Sequence, residues 1–406
     1  MRKLLFLVLI NLLSVIAFTQ VELSGRLLDK NSEEPIIFSN VFLQKSQSIG
    51  TATNEQGYFT LKLPKGVNSS DTIVFSSINY GVSKLPLSYF QNSSNQTDIL
   101  LEPLAHEIKP IFISAPSDRA KQIVREALKK RRRTFNRRPH VLHAFFRETT
   151  IHPHDSVYSS LAEADITILD YGINATSESN RILINELRTS DDFRSEIHTN
   201  PHMKRLTASL KRSNSVINAY NHAFKRCDEN KCFAGDFFDR NDFFFLKEIY
   251  NKNDTIDVIG FLPKSINEIE NRKFTLTCKL FINRTDKAIL KYEYKYDFDN
   301  GFFLYLIQTF EKNSDGLYYP KLFIWDYSYA SKTIYVYDIS RSYSDRVKVR
   351  WAKTEKPTED IFDKEYTYNP DFWDNYSTME LIPAPEKMHQ DLERNRNLVE
   401  QFQNPE

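Results

Sequence analysis

The stretch HVLHAFFRETTIHPHD, His140 to Asp155, places four histidines and an aspartate in one short segment. Imidazoles with a carboxylate are the donor set of a zinc site. Whether they can meet depends on the residues between them. Val141 to Thr150 alternates as a β-strand does, with His143, Phe145 and Arg147 on one face and Ala144, Phe146 and Glu148 on the other. A strand rises about 3.3 Å per residue, so His143 and His152 stand roughly 30 Å apart along it. Zinc holds each of its donors at about 2.1 Å, so the four histidines cannot share an ion. His152, His154 and Asp155, at the turn imposed by Pro153, are what remains of a candidate metal site. Without a further enclosed ligand the same turn reads as a solvated loop.

The segment SVYSSLAEADITILD continues as a second strand, so the two form a hairpin. Glu148 and Glu163 could then face each other across it, and apposed carboxylates would be hydrolase machinery acting on an envelope or extracellular polymer. The competing reading pairs such a glutamate with Arg147 in an ion pair. No glycine-rich phosphate loop, Gly-x-Ser-x-Gly elbow or His-Glu-x-x-His motif occurs anywhere in the chain. No catalytic residue and no cofactor are therefore expected. Trp325, Trp351 and Trp373 are candidate stacking platforms for a glycan. Cys227 and Cys232 could close a small disulfide loop in an oxidising compartment, leaving Cys278 inside a strand; three reduced thiols packed as small apolar groups are the other reading.

Those residues sit in a chain that opens with MRKLLFLVLINLLSVIAFTQ. Two basic residues, a short apolar core and small residues follow one another as in a secretory signal peptide, expected over residues 1–19. The core is too short to span a bilayer, which takes about 20 apolar residues, and no later run approaches that length. The expected destination is the periplasm or cell envelope, or secretion, with no membrane span once the leader is removed. Lys+Arg 54 against Asp+Glu 53 leaves a net charge of +1, which argues against a nucleic-acid binder. Within that balance KKRRRTFNRR, Lys129 to Arg138, holds seven basic residues in ten. It follows SDRAKQIVREAL, where Ser117 can cap a helix whose Ala120, Ile123, Val124, Ala127 and Leu128 share one face. A cationic helix C-terminus suits the helix dipole; contact with lipid headgroups at an envelope surface is the functional alternative.

From Val21 the chain reads as short strands separated by turns, with Gly57 at a turn that demands positive φ and Pro64 ending a strand. Gly25 and Asp29, Pro35, Asn40-Val41, Gly50-Thr51, Thr53-Asn54 and Gly57-Tyr58-Phe59 follow in a pattern that resembles the carboxypeptidase-regulatory-like domain. That is a transthyretin-like β-sandwich common at the N-termini of secreted Bacteroidota proteins. The resemblance implies a non-catalytic module over residues 20–104. Residues 105–140 are expected to be a linker and the basic helix, and 141–382 an antiparallel β-rich domain with a helical insertion near 180–226. Residues 383–406 would be a polar tail. The FFRET strand, and later Leu280-Phe281-Ile282-Asn283 with Ala288-Ile289 and Glu293, resemble the layout of proteins that follow the regulatory-like domain with such strands. The strand pattern of the larger domain is similar to the half-barrel of outer-membrane lipoprotein carriers. The fold expected is mainly β with some α: a β-sandwich followed by a larger curved antiparallel sheet with helices. The function expected is non-catalytic binding or docking, with a lipid, a glycan or an outer-membrane protein as partner.

Overall fold

The structure is a computed structural model that describes residues 21–31, 33–36, 39–53, 57–63, 66–77, 80–91, 97–102, 116–152, 157–173, 180–194, 236–251, 254–264, 274–298, 303–327, 330–352, 360–376 and 386–405. The chain divides into two compact units, Met1–Pro103 with Tyr376–Pro383, and Leu104–Asn375 with Ala384–Glu406.

The smaller unit holds β1 (Val21–Asp29), β2 (Asn40–Leu43), β3 (Ser46–Ala52), β4 (Tyr58–Leu63), β5 (Thr72–Ser76), β6 (Ser83–Pro86) and β7 (Thr97–Leu101), with the short helix α1 (Ser88–Gln91) before β7. They form two sheets, β4-β1-β7 and β3-β2-β5-β6. Leu27, Phe59 and Leu61 from the first sheet and Val41, Ile73 and Phe75 from the second bury together, which makes the pair a sandwich. Gly57 sits at φ 79°, and a Cβ there would stand 2.6 Å from the Leu27 carbonyl oxygen. The turn therefore takes glycine for both conformation and space.

The larger unit begins with α2 (Asp118–Thr134), capped by the Ser117 hydroxyl accepting from the Ala120 amide at 3.3 Å. Then come β8 (His140–Ile151), β9 (Tyr158–Asp170) and β10 (Arg181–Thr189). A short helix, α3 (Phe237–Arg240), leads into β11 (Asn241–Asn251), β12 (Asp254–Pro263), β13 (Phe274–Asn283) and β14 (Ile289–Phe298). Next are β15 (Phe303–Lys312), β16 (Tyr318–Tyr327) and β17 (Ala330–Ser340), followed by α4 (Tyr343–Trp351), a 3-10 turn (Ile361–Asp363), α5 (Pro370–Asp374), α6 (Glu386–Leu392) and α7 (Leu398–Gln403). The ten strands make one antiparallel sheet in the order β10-β9-β8-β17-β16-β15-β14-β13-β12-β11. Its edges, β10 and β11, do not pair with each other, so it is an unclosed half-barrel. The mainly β architecture expected from the sequence is the one found.

The helical insertion expected near residues 180–226 needs correction at its start, because Arg181–Thr189 is the edge strand β10. Its alternation is disguised by a bulge between Ile184 and Glu186, which returns Leu187 to the face of Ile182 and Ile184. Most of the remainder of that stretch lies outside the described residues.

One row of cross-strand partners defines the inner face. It runs Leu187, Ala164, Phe146, Ile334, Phe323, Gln308, Tyr292, Leu280, Ile259, Phe245, from one edge strand to the other. Two covers close over this face. Ala120, Ile123, Val124 and Ala127 of α2 pack with Phe243, Phe261 and Leu280 on one half. Ile361, Phe362 and Tyr366 pack with Phe146, Ile182 and Ile334 on the other. The interior is thus largely filled by the protein's own side chains. On the outer face, Met388, Leu392, Leu398 and Phe402 of α6 and α7 bury against Leu161, and Val349 of α4 against Val141 and Leu169. Strands β8 and β9 are consequently covered on both faces.

Candidate functional site

The two candidate carboxylates, Glu148 and Glu163, are on opposite faces of the sheet. β8 and β9 pair Arg147 with Glu163 and Glu148 with Ala162. Adjacent residues on a strand point to opposite sides, so Glu163 faces outward and Glu148 inward. The expectation that they could be apposed is corrected by register; the ion-pair reading is the one observed. Arg147 donates through Nε to Glu163 Oε1 at 2.7 Å, and Arg188 through Nε to Glu163 Oε2 at 2.7 Å. Burial alone would raise the Glu163 pKa, but the two guanidinium groups hold it below the ordinary carboxylate value. Arg188 also lies over the rings of Trp373 and Phe402, at 4.3 and 4.8 Å.

Glu148 meets Lys332 instead, Oε2 to Nζ at 3.4 Å, and both side chains are 0% exposed. Burial raises the Glu148 pKa and lowers that of Lys332, each opposed by the other's charge. Beside them Arg194 bonds Asp192 at 2.7 Å and Asp360 at 3.0 Å and stacks on Phe362 at 4.2 Å. Perturbed ionisable groups mark active sites and structural ion-pair networks alike. Neither partner has exposed surface, and the pair joins β8 to β17 on the inner face, while the Arg194–Asp360 contact reaches the segment that covers it.

The remaining candidate residues do not converge. Trp325 lies half-buried on the inner face with Lys332 Nζ 5.4 Å from its ring centre. Trp373 is buried in α5, edge-on to Phe372, and Trp351 ends α4. His152 follows β8 and its amide donates to the Val157 carbonyl at 2.7 Å. His154 and Asp155 lie outside the described residues, as do Cys227 and Cys232. Among the described residues no three His, Cys, Asp or Glu side chains are grouped as a metal site. Cys278 is buried on β13.

What sequence reasoning missed is a small half-open cavity just beyond the C-terminal end of α2. It is lined by Phe135, Asn136, His140, Asp170, Gly172, Ile173, Gln308, Phe310, Tyr318, Tyr319 and Pro320. Its volume is about 30 Å³, room for roughly two water molecules. Gln308, the one amide in the row across the inner face, is 3% exposed, and its Oε1 has no hydrogen-bond donor among the described residues. Aromatic rings set the walls: Phe135 is edge-on to Phe310 at 4.9 Å, and His140 to Tyr319 at 5.1 Å. Both tyrosine hydroxyls are engaged, Tyr318 donating to Asp286 at 3.0 Å and Tyr319 to Asp315 at 2.8 Å. Burial, with Asp286 at hand, raises the Tyr318 pKa, which keeps it a neutral donor.

The rim is braced from below. Asn136 Nδ2 donates to the Arg138 carbonyl at 2.8 Å and lies 2.8 Å from His140 Nδ1, while the Arg138 amide donates to Asn136 Oδ1 at 3.2 Å. Asp170 Oδ1 accepts the Gly172 amide at 2.6 Å. Gly172 has φ 91°, and a Cβ there would come within 2.5 Å of the Arg137 carbonyl carbon, so only glycine lets the loop close against the end of β9. The cavity sets the Gln308 carbonyl beside aromatic rings and the polar side chains of Asn136, His140 and Asp170.

Three solved structures are similar over more than half of this chain. A putative outer membrane lipoprotein-sorting protein domain from Vibrio parahaemolyticus is 11% identical, with TM-score 0.29, over 57% of this chain and 97% of its own. A LolA superfamily protein from Nitrosomonas europaea is 14% identical, with TM-score 0.25, over 56% of this chain and 96% of its own. A DUF1329 family protein from Desulfovibrio piger is 9% identical, with TM-score 0.26, over 56% and 92%. No curated protein sequence matches the chain. Residues 23–113, which take in the described sandwich from Leu23 onward, match the family described as the CarboxypepD_reg-like domain.

Proposed function

We propose that this is a non-catalytic binding protein of the cell envelope, and that its larger unit receives the hydroxyl- or amine-bearing tip of a small ligand at the Gln308 cavity. The observation that carries the reading is Gln308: a buried amide carbonyl without a donor, in a cross-strand row whose other nine members are apolar or aromatic. A buried acceptor that finds no partner at all costs roughly 1–3 kcal/mol. A buried acceptor with no protein donor calls for a partner of another kind, a ligand, an ion or a water. The filled inner face speaks against a long acyl chain held inside the sheet, and the locked glutamates speak against the hydrolase alternative. Export rests on the leader-like first nineteen residues and on the regulatory-like module that follows them.

Gln308→Met keeps the volume and removes the carbonyl. It is expected to be at least as stable as the wild type, gaining up to about 1 kcal/mol in urea unfolding, and to lose any small molecule that native mass spectrometry detects on gently purified wild-type protein. Wild-type protein that carries nothing across independent preparations, together with a destabilised Gln308→Met, would remove the cavity from consideration as a binding site.

A further inference from the structure

We propose that the end of the larger unit formed by the last turns of α2, the Arg137–Arg138 loop and α4 docks on the headgroups of an anionic phospholipid bilayer. The sequence shows only the Lys129–Arg138 run; the fold adds a second basic element to it. Arg346 of α4 reaches across, its Nη1 donating to the Pro139 carbonyl at 3.4 Å, and Lys348 and Arg350 follow on the same helix. Lys129, Lys130, Arg132, Arg133, Arg137, Arg138 and Lys348 are exposed, and none has an acidic partner among the described residues. Elsewhere on the surface Lys30, Lys45, Arg240 and Lys312 each stand within 3.2 Å of a carboxylate. In a chain of net charge +1, such a concentration of unpaired cations is a local anion-seeking surface with no general polyanion attraction behind it.

A second feature favours a bilayer over a soluble polyanion. Tyr343, at the start of α4, is 76% exposed, the most solvent-accessible large apolar side chain described. The Arg346 guanidinium lies 5.7 Å from its ring centre, so aromatic and cation are presented together. An amphipathic ring beside basic residues suits the headgroup layer, where tyrosine is enriched, and polybasic clusters add affinity for anionic leaflets residue by residue. The platform is held in shape: Gly172 and Asn136 fix the Arg137–Arg138 loop, and Val349 anchors α4 on Val141 and Leu169.

The test is co-sedimentation of the full mature chain with vesicles of phosphatidylcholine alone or mixed with phosphatidylglycerol. Binding is expected only to the mixed vesicles and is expected to weaken as salt is raised. Combined Arg132→Gln, Arg133→Gln, Arg137→Gln and Arg138→Gln should lower it on the order of a thousandfold with unchanged thermal melting. Lys30→Gln with Lys84→Gln, in the smaller unit, should leave it unaltered, as should Gln308→Met, which separates this surface from the cavity. Tyr343→Ser should weaken vesicle binding several-fold without altering retention on heparin. Equal binding to both vesicle types, or none to either, overturns the proposal. So does a Tyr343→Ser variant that binds vesicles as well as wild type while heparin or duplex DNA competes fully, since the surface would then read a soluble polyanion.

Discussion

Glu163→Leu is expected to lower the unfolding free energy by about 3–5 kcal/mol at neutral pH, the usual cost of stranding a buried charge. Two guanidinium groups would be left facing an apolar side chain, with Arg147 only 5% exposed. Arg147 Nη1 already lacks a partner among the described residues, so the site has no spare acceptor to offer. Arg188 would keep its aromatic contacts with Trp373 and Phe402 but lose its carboxylate. Urea unfolding gives the number directly; a loss below about 1 kcal/mol would mean that the pairing contributes no more than an exposed ion pair does. The pH dependence has a definite sign. The folded pKa of Glu163 is depressed, so its contribution is complete above the ordinary carboxylate value of about 4.3 and is lost as pH falls through the folded value. Wild-type stability should decline on that acid side, and Glu163→Gln should flatten the decline.

Lys332→Met tests the opposite case, and its pH dependence should run the other way. Glu148 would be left as a buried carboxylate whose pKa burial already raises. A raised folded pKa gives stability that is complete below about pH 4.3 and lost as pH rises through the folded value. The variant should therefore be about 3–5 kcal/mol less stable than wild type at neutral pH, and closer to it in mild acid, where Glu148 takes up a proton. Glu148→Leu combined with Lys332→Met should recover most of the loss, because a buried pair can be replaced by apolar groups far more cheaply than it can be broken. Parallel unfolding curves at two pH values check all three statements. A Lys332→Met deficit that does not shrink in acid would show that the cost lies in packing against Trp325 and not in the stranded charge.

The sequence by itself determined what local chemistry decides. Alternation in Val141–Thr150 and in SVYSSLAEADITILD specifies strands, Ser117 specifies the start of α2, and Gly57 marks a turn that needs positive φ. Strand rise alone separates His143 from His152, with no knowledge of the fold required. The regulatory-like pattern between Gly25 and Phe59 was legible because its turn residues sit at set offsets. What the sequence left undecided is non-local. β17 closes against β8 across the whole intervening meander, and that pairing sets Lys332 opposite Glu148. A one-residue difference in register decides whether two glutamates share a face, and bulges such as that at Ile184–Glu186 reset the alternation without changing composition. Gln308 reads in isolation as an ordinary strand amide in FLYLIQTFEK. Only ten strands in register, with α2 and Ile361 closing over them, make it the one amide on an otherwise apolar and aromatic row, because burial belongs to the assembled face and not to the residue.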